Sequence, residues 1–231
     1  MIHVDQVFAP LDRDNNLERF AGGNETEVYR TDDQRYVVKL KSHLGGATPE
    51  AVQLAQQMRG AAERFADCLG VQYSIPTYFI VSGDSAGHAQ VVAIQPFVAD
   101  AAPLHDTDWA ALPPATRRAV ARQLRAIIGR SLRMYIATGR MPDLYGRTST
   151  SSAERARLNT PLMLPYRLWG FLVRRNLLRS HNLLLEPSAD PQVILVDYDP
   201  VRRGPLYQAI YYAVRVALFG RDLLFIAWLG R

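Results

Sequence analysis

Four short stretches of the 231-residue chain carry residue types at spacings that could do chemistry. The first, Ala21-Gly22-Gly23-Asn24-Glu25-Thr26-Glu27-Val28-Tyr29, is a glycine-containing turn between two predicted strands. Glycines let the backbone approach a phosphate closely, and amides without side-chain bulk can donate to it. An ordinary hairpin turn reads the same way. The second, Val37-Val38-Lys39-Leu40-Lys41, is strand-like, and a period of two puts Lys39 and Lys41 on one face, opposite Val38 and Leu40. Facing a cleft, such a lysine clamps phosphate; facing water, it solubilises. The third, Gly139-Arg140-Met141-Pro142-Asp143-Leu144-Tyr145-Gly146, sets an aspartate on a loop leaving a helix, a place that also suits a turn former or cap. The fourth pairs His181-Asn182-Leu183-Leu184-Leu185 with Val193-Ile194-Leu195-Val196-Asp197-Tyr198-Asp199. Apolar strands ending in Asn and Asp can set a carboxamide and a carboxylate on one cation, hard ligands that suit Mg²⁺ beside phosphates. A plain hairpin with polar ends is the alternative.

The elements that must position these residues follow from composition and pattern. At 48% hydrophobic and 21% charged the chain is globular in composition, and its length can bury a sizeable core. One cysteine, Cys68, excludes a disulfide framework and most zinc sites, which points to a reducing compartment. Cys68 itself lies on a helix and reads as core. His3, His43, His88 and His105 are scattered without metal spacing, while His181 adjoins Asn182 and could orient that loop. The N-terminal residues show no signal-peptide pattern. Residues 1–100 hold 8 Lys and Arg against 13 Asp and Glu, whereas residues 101–231 hold 19 against 9. An acidic first part and a basic second part predict two lobes, with an anionic ligand or surface for the second. Every basic residue after 100 is arginine, and the chain's two lysines are Lys39 and Lys41, where a compact ammonium would serve.

Short strands are predicted over residues 15–41, with a turn at Asp32-Asp33. Thr48-Pro49-Glu50 reads as a helix start, with Thr48 as cap. Val52, Ala55, Met58, Ala62, Phe65 and Leu69 then recur near a period of 3.6 until Gly70. Residues 75–81 and 89–98 read as a hairpin. After Pro113-Pro114 a long helix runs to about Thr138, apolar at Val120, Leu124, Ile127, Ile128, Leu132 and Tyr135, with arginines mostly opposite. Helices and the hairpin 181–199 follow. The stretch from Leu206 to Leu229 is interrupted by Gln208, Arg215, Arg221 and Asp222, so it reads as a buried helix, with membrane-surface contact as the alternative, and not as a span.

The order of these motifs resembles the protein-kinase-like superfamily, and within it bacterial small kinases of the aminoglycoside-phosphotransferase type. The similarity runs over roughly residues 17–200 and rests on short motifs whose order is more specific than any one of them. It implies an α+β, two-lobed fold. Residues 1–100 would be a small antiparallel β lobe with one helix. Residues 101–231 would be a mostly helical lobe holding a catalytic loop, a basic insertion at about 147–180 and a metal-binding hairpin at 181–199. It also implies roles. Gly22, Gly23 and Asn24 would cover the phosphates of ATP, and Lys39 would hold the α- and β-phosphates. Gln95 to Val98, including Phe97, would face adenine. Asn182 and Asp197 would bind Mg²⁺, and Asp143 would accept the proton of the attacking hydroxyl.

Three departures accompany the resemblance. In the family motif the catalytic Asp and the metal Asn lie five residues apart, whereas Asn182 follows Asp143 by 39. An insertion of about 34 residues after the Asp loop accounts for this. A strict backward alignment instead puts Leu177 at the catalytic position, which describes a pseudokinase. The partner of Lys39 is the second departure: Glu63 is the candidate, although it could pair with Arg59 one turn away. Third, Asp199 stands where a glycine is expected and could touch a second metal or cap the next segment. The insertion contains seven arginines and one acid, Glu154, with Tyr166, Trp169 and Phe171 among them. Such a segment could hold a phosphorylated sugar, a lipid head group, a membrane surface or nucleic acid, or dock by its aromatics with a solvated arginine face.

These readings add up to ATP·Mg²⁺-dependent phosphoryl transfer to a hydroxyl of a small-molecule, sugar or lipid-linked acceptor, which could be anionic, in the cytoplasm or at the inner membrane face. Two alternatives stand beside it. One is an inactive pseudokinase-like nucleotide-binding or membrane-associated module. The other, the least favoured, is nucleic-acid binding through the arginine-rich lobe, which a steep salt dependence would reveal.

Overall fold

The computed structural model describes residues 7–8, 17–22, 26–31, 33–83, 88–146, 160–163, 165–166, 176–198 and 205–231. The architecture is α+β, as the sequence predicts, and the chain divides into two compact units. Described residues of the first lie within Met1–Glu63 and Ile75–Phe97; those of the second lie within Arg64–Ser74, Val98–Arg147 and Ala156–Arg231.

The first unit is a six-stranded sheet of β1 (Val7–Phe8), β2 (Leu17–Gly22), β3 (Thr26–Thr31), β4 (Tyr36–Ala47), β5 (Tyr78–Gly83) and β6 (His88–Pro96). The spatial order is β1-β5-β6-β4-β3-β2, with β1 parallel to β5 and every other pair antiparallel. β4 is central. Its alternation puts Val38 and Leu40 into a core with Tyr29 and Val92, which leaves Lys39 half-buried on the opposite face. The register between β4 and β6 shifts between Leu40 and Gly45, and β4 then runs directly into helix α1 (Thr48–Leu69). Thr48 is thus the first helical residue, one place inside the predicted cap. The apolar stripe of α1 is buried at Ala55, Met58, Ala62, Phe65 and Leu69. Gly70 ends the helix at φ 91°, a conformation that favours glycine.

In the second unit, β7 (Ala102–Pro103) joins the hairpin β8 (Leu183–Glu186) and β9 (Gln192–Leu195) in a three-stranded sheet. β7 is not predicted, because two residues of Ala-Pro carry no strand pattern. Helix α2 (Pro114–Thr138) buries Val120, Leu124, Ile127 and Ile128 and turns Arg118, Arg122, Arg125 and Arg133 outward, as its periodicity predicts. Its buried-side amide, Gln123, accepts from Val193 N at 2.9 Å and donates to the Pro191 carbonyl, which ties α2 to the hairpin. Arg130 donates to the Leu69 carbonyl and lies over the Tyr73 ring, and the Cys68 thiol donates to the Arg130 carbonyl at 3.2 Å.

The C-terminal helix α3 (Pro205–Leu229) departs from the expectation of a buried helix. One face is buried through Tyr212, Leu218, Phe219, Ile226 and Leu229, while Leu206, Ile210, Leu224 and Trp228 are exposed. Among the described residues, no helix is long and apolar enough to cross a membrane.

Candidate active site

Helix α2 stops at Gly139, which takes the left-handed conformation (φ 69°) and donates to the Tyr135 carbonyl at 2.8 Å. The loop that leaves it is anchored by apolar side chains: Met141, Leu144 and Tyr145 are buried. Asp143 lies between them, and its carboxylate accepts from Tyr145 N at 3.1 Å in an Asx turn. A quarter of its side chain remains exposed, so a hydroxyl or water can reach it.

This loop is stitched to the segment that precedes the hairpin. Ser180 Oγ, fully buried, donates to the Leu144 carbonyl at 2.6 Å and accepts from both Asn182 N and Leu183 N at 3.0 Å. His181 N donates to the Tyr145 carbonyl at 3.0 Å. Asn182 Nδ2 donates to the Asp143 carbonyl at 2.8 Å across 39 residues. Gly146 completes the junction. Its φ is 67°, and a Cβ there would come within 2.4 Å of Asn182 Oδ1, so only glycine leaves that oxygen its space. Two predicted site residues, Asp143 and Asn182, therefore share one hydrogen-bonded junction.

The hairpin adds Asp197. Val196 N donates to the Asn182 carbonyl at 2.9 Å, so the half-buried Asp197 follows directly from the residue bonded to Asn182. His181 does more than adjoin Asn182: its ring lies 4.2 Å from that of His105, centroid to centroid. Leu177, the catalytic position in the strict alignment, is a fully buried core residue on a 3₁₀ turn.

Sequence reasoning missed the residues of α3 behind this junction. Arg215 is 3% exposed, and its Nη2 donates to Asp143 Oδ1 and to the Tyr211 hydroxyl at 3.2 and 2.9 Å. The guanidinium also lies 4.1 Å above the Tyr145 ring and 4.8 Å from the Tyr211 ring centre. Burial, with the Asp143 charge second, pushes the Tyr211 hydroxyl up, so Tyr211 stays protonated. Two turns further on, Asp222 is fully buried, accepts from Leu177 N at 3.1 Å and pairs with Arg221 at 2.7 Å. Burial holds its carboxyl above the ordinary range, and burial together with Asp222 does the same to the Tyr145 hydroxyl. The signal was present in the sequence: Arg215 and Asp222 interrupt its most apolar stretch seven residues apart, on one helical face.

The other candidates fall as follows. Gln95 is buried, and its Nε2 donates to Thr77 Oγ1 at 2.8 Å. Phe97 N donates to the Arg35 carbonyl at 2.8 Å, and the Arg30 guanidinium lies 5.7 Å from the Phe97 ring centre. Val98 is half-buried. Glu63 is 54% exposed and bonded to Arg59 at 2.8 Å, a correction: it makes the helix-surface ion pair that its i,i+4 spacing allows. Gly22 ends β2 in register with Glu27. Gly23, Asn24, Asp199 and most of the predicted insertion lie outside the described residues. Among the described residues, no cluster of three His, Cys, Asp or Glu could hold a metal.

No protein-family model matches the chain, and no curated protein matches it. Among solved structures, it is similar to the GDP and kanamycin complex of APH(2")-IIia, with a TM-score of 0.46 and 13% identity over 92% of this chain and 77% of that one. It is also similar to the GDP complex of wild-type aminoglycoside 2'-phosphotransferase-IIIa, with a TM-score of 0.45 and 13% identity over 92% and 76% of the two chains.

Proposed function

We propose that this chain is a kinase-like phosphotransferase that moves the γ-phosphoryl of ATP to a hydroxyl of a small-molecule, sugar or lipid-linked acceptor. The observation that carries the reading is the bond from Asn182 Nδ2 to the Asp143 carbonyl. It supports an interrupted catalytic loop, in which the chain leaves after Gly146 and returns in time to set Asn182 beside Asp143.

In this reading Asp143 orients the acceptor hydroxyl and takes its proton as the phosphoryl group departs from ATP. Arg215 is a positioning residue. Its charge-assisted bond and its seat on the Tyr145 ring hold the carboxylate in one orientation. Such transfer needs positioning and charge neutralisation more than covalent chemistry, so a fixed carboxylate is the main requirement of the loop.

The donor set fits a hard cation. Asn182 is oriented by its own amide bond to Asp143, the missing Cβ of Gly146 leaves room beside Oδ1, and Asp197 adds a carboxylate one residue beyond the Asn182 backbone contact. Asn182 and Asp197 would hold Mg²⁺, which when bound would neutralise phosphate charge. Lys39, half-buried on the sheet face opposite Val38 and Leu40, is assigned to the nucleotide phosphates.

A thermal-shift titration with ATP, with and without Mg²⁺, tests this on wild type, Lys39→Ala and Asp197→Ala. ATP at about a hundred times its Kd should raise Tm by about 5 to 11 °C in a chain of this size. A Mg²⁺-dependent rise that both substitutions abolish supports the reading; no shift at millimolar ATP overturns it. Asp143→Asn should then keep the shift and lower phosphoryl transfer to a panel of hydroxyl acceptors by about 10²- to 10⁴-fold. Unchanged turnover in that variant would remove Asp143 from the chemistry.

A further inference from the structure

Helix α3 exposes Leu206, Ile210, Leu224 and Trp228 at 76%, 57%, 72% and 72%. Ala213, Ala217 and Gly220, also exposed, fill the intervals. At 3.6 residues per turn these positions fall within an arc of about 80° and extend for about 33 Å. None carries a charge, and the one acid of the helix, Asp222, is turned fully inward. A continuous apolar stripe of this length on a surface marks an interaction site.

The border of the stripe is cationic. α2 runs antiparallel beside α3. Tyr135 lies 5.6 Å from Tyr212 between ring centres, and a Cβ on Gly230 would lie 3.4 Å from Ala121 Cβ and 3.5 Å from Arg125 Nη2. On α2, Arg118, Arg122 and Arg125 are exposed and share one stripe at i, i+4 and i+7. Arg231 is exposed as well.

We propose that this face docks on an anionic membrane surface, with α3 lying in the plane of the interface. Leu206, Ile210, Leu224 and Trp228 would enter the boundary between headgroups and acyl chains, and the α2 arginines would meet the lipid phosphates. Charge selects this occupant. A second copy would bring a second arginine row and, from α2 and α3, no exposed acid to meet either one, whereas an anionic bilayer complements both the stripe and its border. The proposal is independent of the phosphotransferase reading.

The test is flotation of the full chain with vesicles of phosphatidylcholine containing phosphatidylserine, and with vesicles of phosphatidylcholine alone. The anionic vesicles should carry the protein and the neutral ones much less. The double variant Leu224→Ser/Trp228→Ser should bind anionic vesicles about tenfold or more weakly. The triple variant Arg118→Gln/Arg122→Gln/Arg125→Gln should lose about tenfold or more on anionic vesicles alone. Both should keep the wild-type Tm, since every substituted side chain is exposed; if the first double variant unfolds, Leu206→Ser/Ile210→Ser probes the other end of the stripe. Absence of flotation with anionic vesicles overturns the proposal, as does binding that none of these variants weakens. A concentration-dependent dimer that the serine variants dissolve, without vesicle binding, overturns it in favour of a second copy.

Discussion

The two 25-residue helices of the second unit solve opposite problems. α2 buries Val120, Leu124, Ile127 and Ile128 and turns Arg118, Arg122 and Arg125 to solvent. α3 buries Arg215 and Asp222 among its apolar residues and exposes Leu206, Leu224 and Trp228. Burying a charge costs several kcal/mol even when it is paired, so such residues are poor devices for stability alone. On α3 each buried charge holds a loop: Arg215 holds the Asp143 carboxylate, and Asp222 holds the Leu177 amide at the start of the returning segment. α2 is a scaffold packed by hydrophobic burial, whereas the inner face of α3 sets the geometry of the candidate site.

The largest way to break this contrast is to remove a charge from inside and one from outside. Asp222→Ala should cost about 3 to 5 kcal/mol, because it leaves the Leu177 amide and Arg221 without a buried acceptor. Urea denaturation measures it, and a cost under 1 kcal/mol would mean that the loop does not depend on α3. Gly146→Ala comes next at about 2 kcal/mol, from a strained positive φ and the displaced Asn182 oxygen. It should also lower turnover, since the Asn182–Asp143 bond cannot survive the displacement.

Arg215→Lys sharpens the comparison by keeping the charge while losing the planar fork and its seat on Tyr145. Expected is a fall in kcat of about tenfold at an unchanged nucleotide KM. Equal falls in stability and binding with kcat intact would make Arg215 a structural residue only. The pH dependence carries a definite sign. Burial raises the Asp222 carboxyl in the folded chain, so its contribution to stability is fully present below the ordinary carboxylate range and is lost as pH rises through the raised value. Asp222→Asn should flatten that decline in chemical denaturation across acidic pH. Smallest of all, Arg122→Ala on the outer face of α2 should stay within about 0.5 kcal/mol of wild type.

Much of this was legible before any coordinates. The stripes of α1 and α2, the strands around Lys39 and the β8–β9 hairpin follow from periods of 3.6 and 2 that any short window displays. Asp143 and Asn182 were visible as candidates, and the resemblance implied one site interrupted by an insertion, but the hydrogen bonds that join them were not visible. Apart from that resemblance, nothing in the 38 residues between them announces that the chain returns to the same place. Glu63 shows the converse error: its residue type and helix suited a lysine partner, yet the nearer Arg59 takes it. The β7 strand was invisible because two residues hold no pattern, and the exposure of α3 was hidden because an apolar run looks the same whether it is covered or bare.

The sequence by itself determined the α+β composition, the main helices and strands, and the set of polar residues able to do chemistry, because each depends on neighbours within a few residues. Tertiary structure alone decided that Ser180, Asn182 and Asp143 form one junction, that Arg215 reaches Asp143 from 72 residues away, and which side of α3 faces inward. Those outcomes depend on long loops closing to leave buried polar groups satisfied, and that condition is met only in three dimensions.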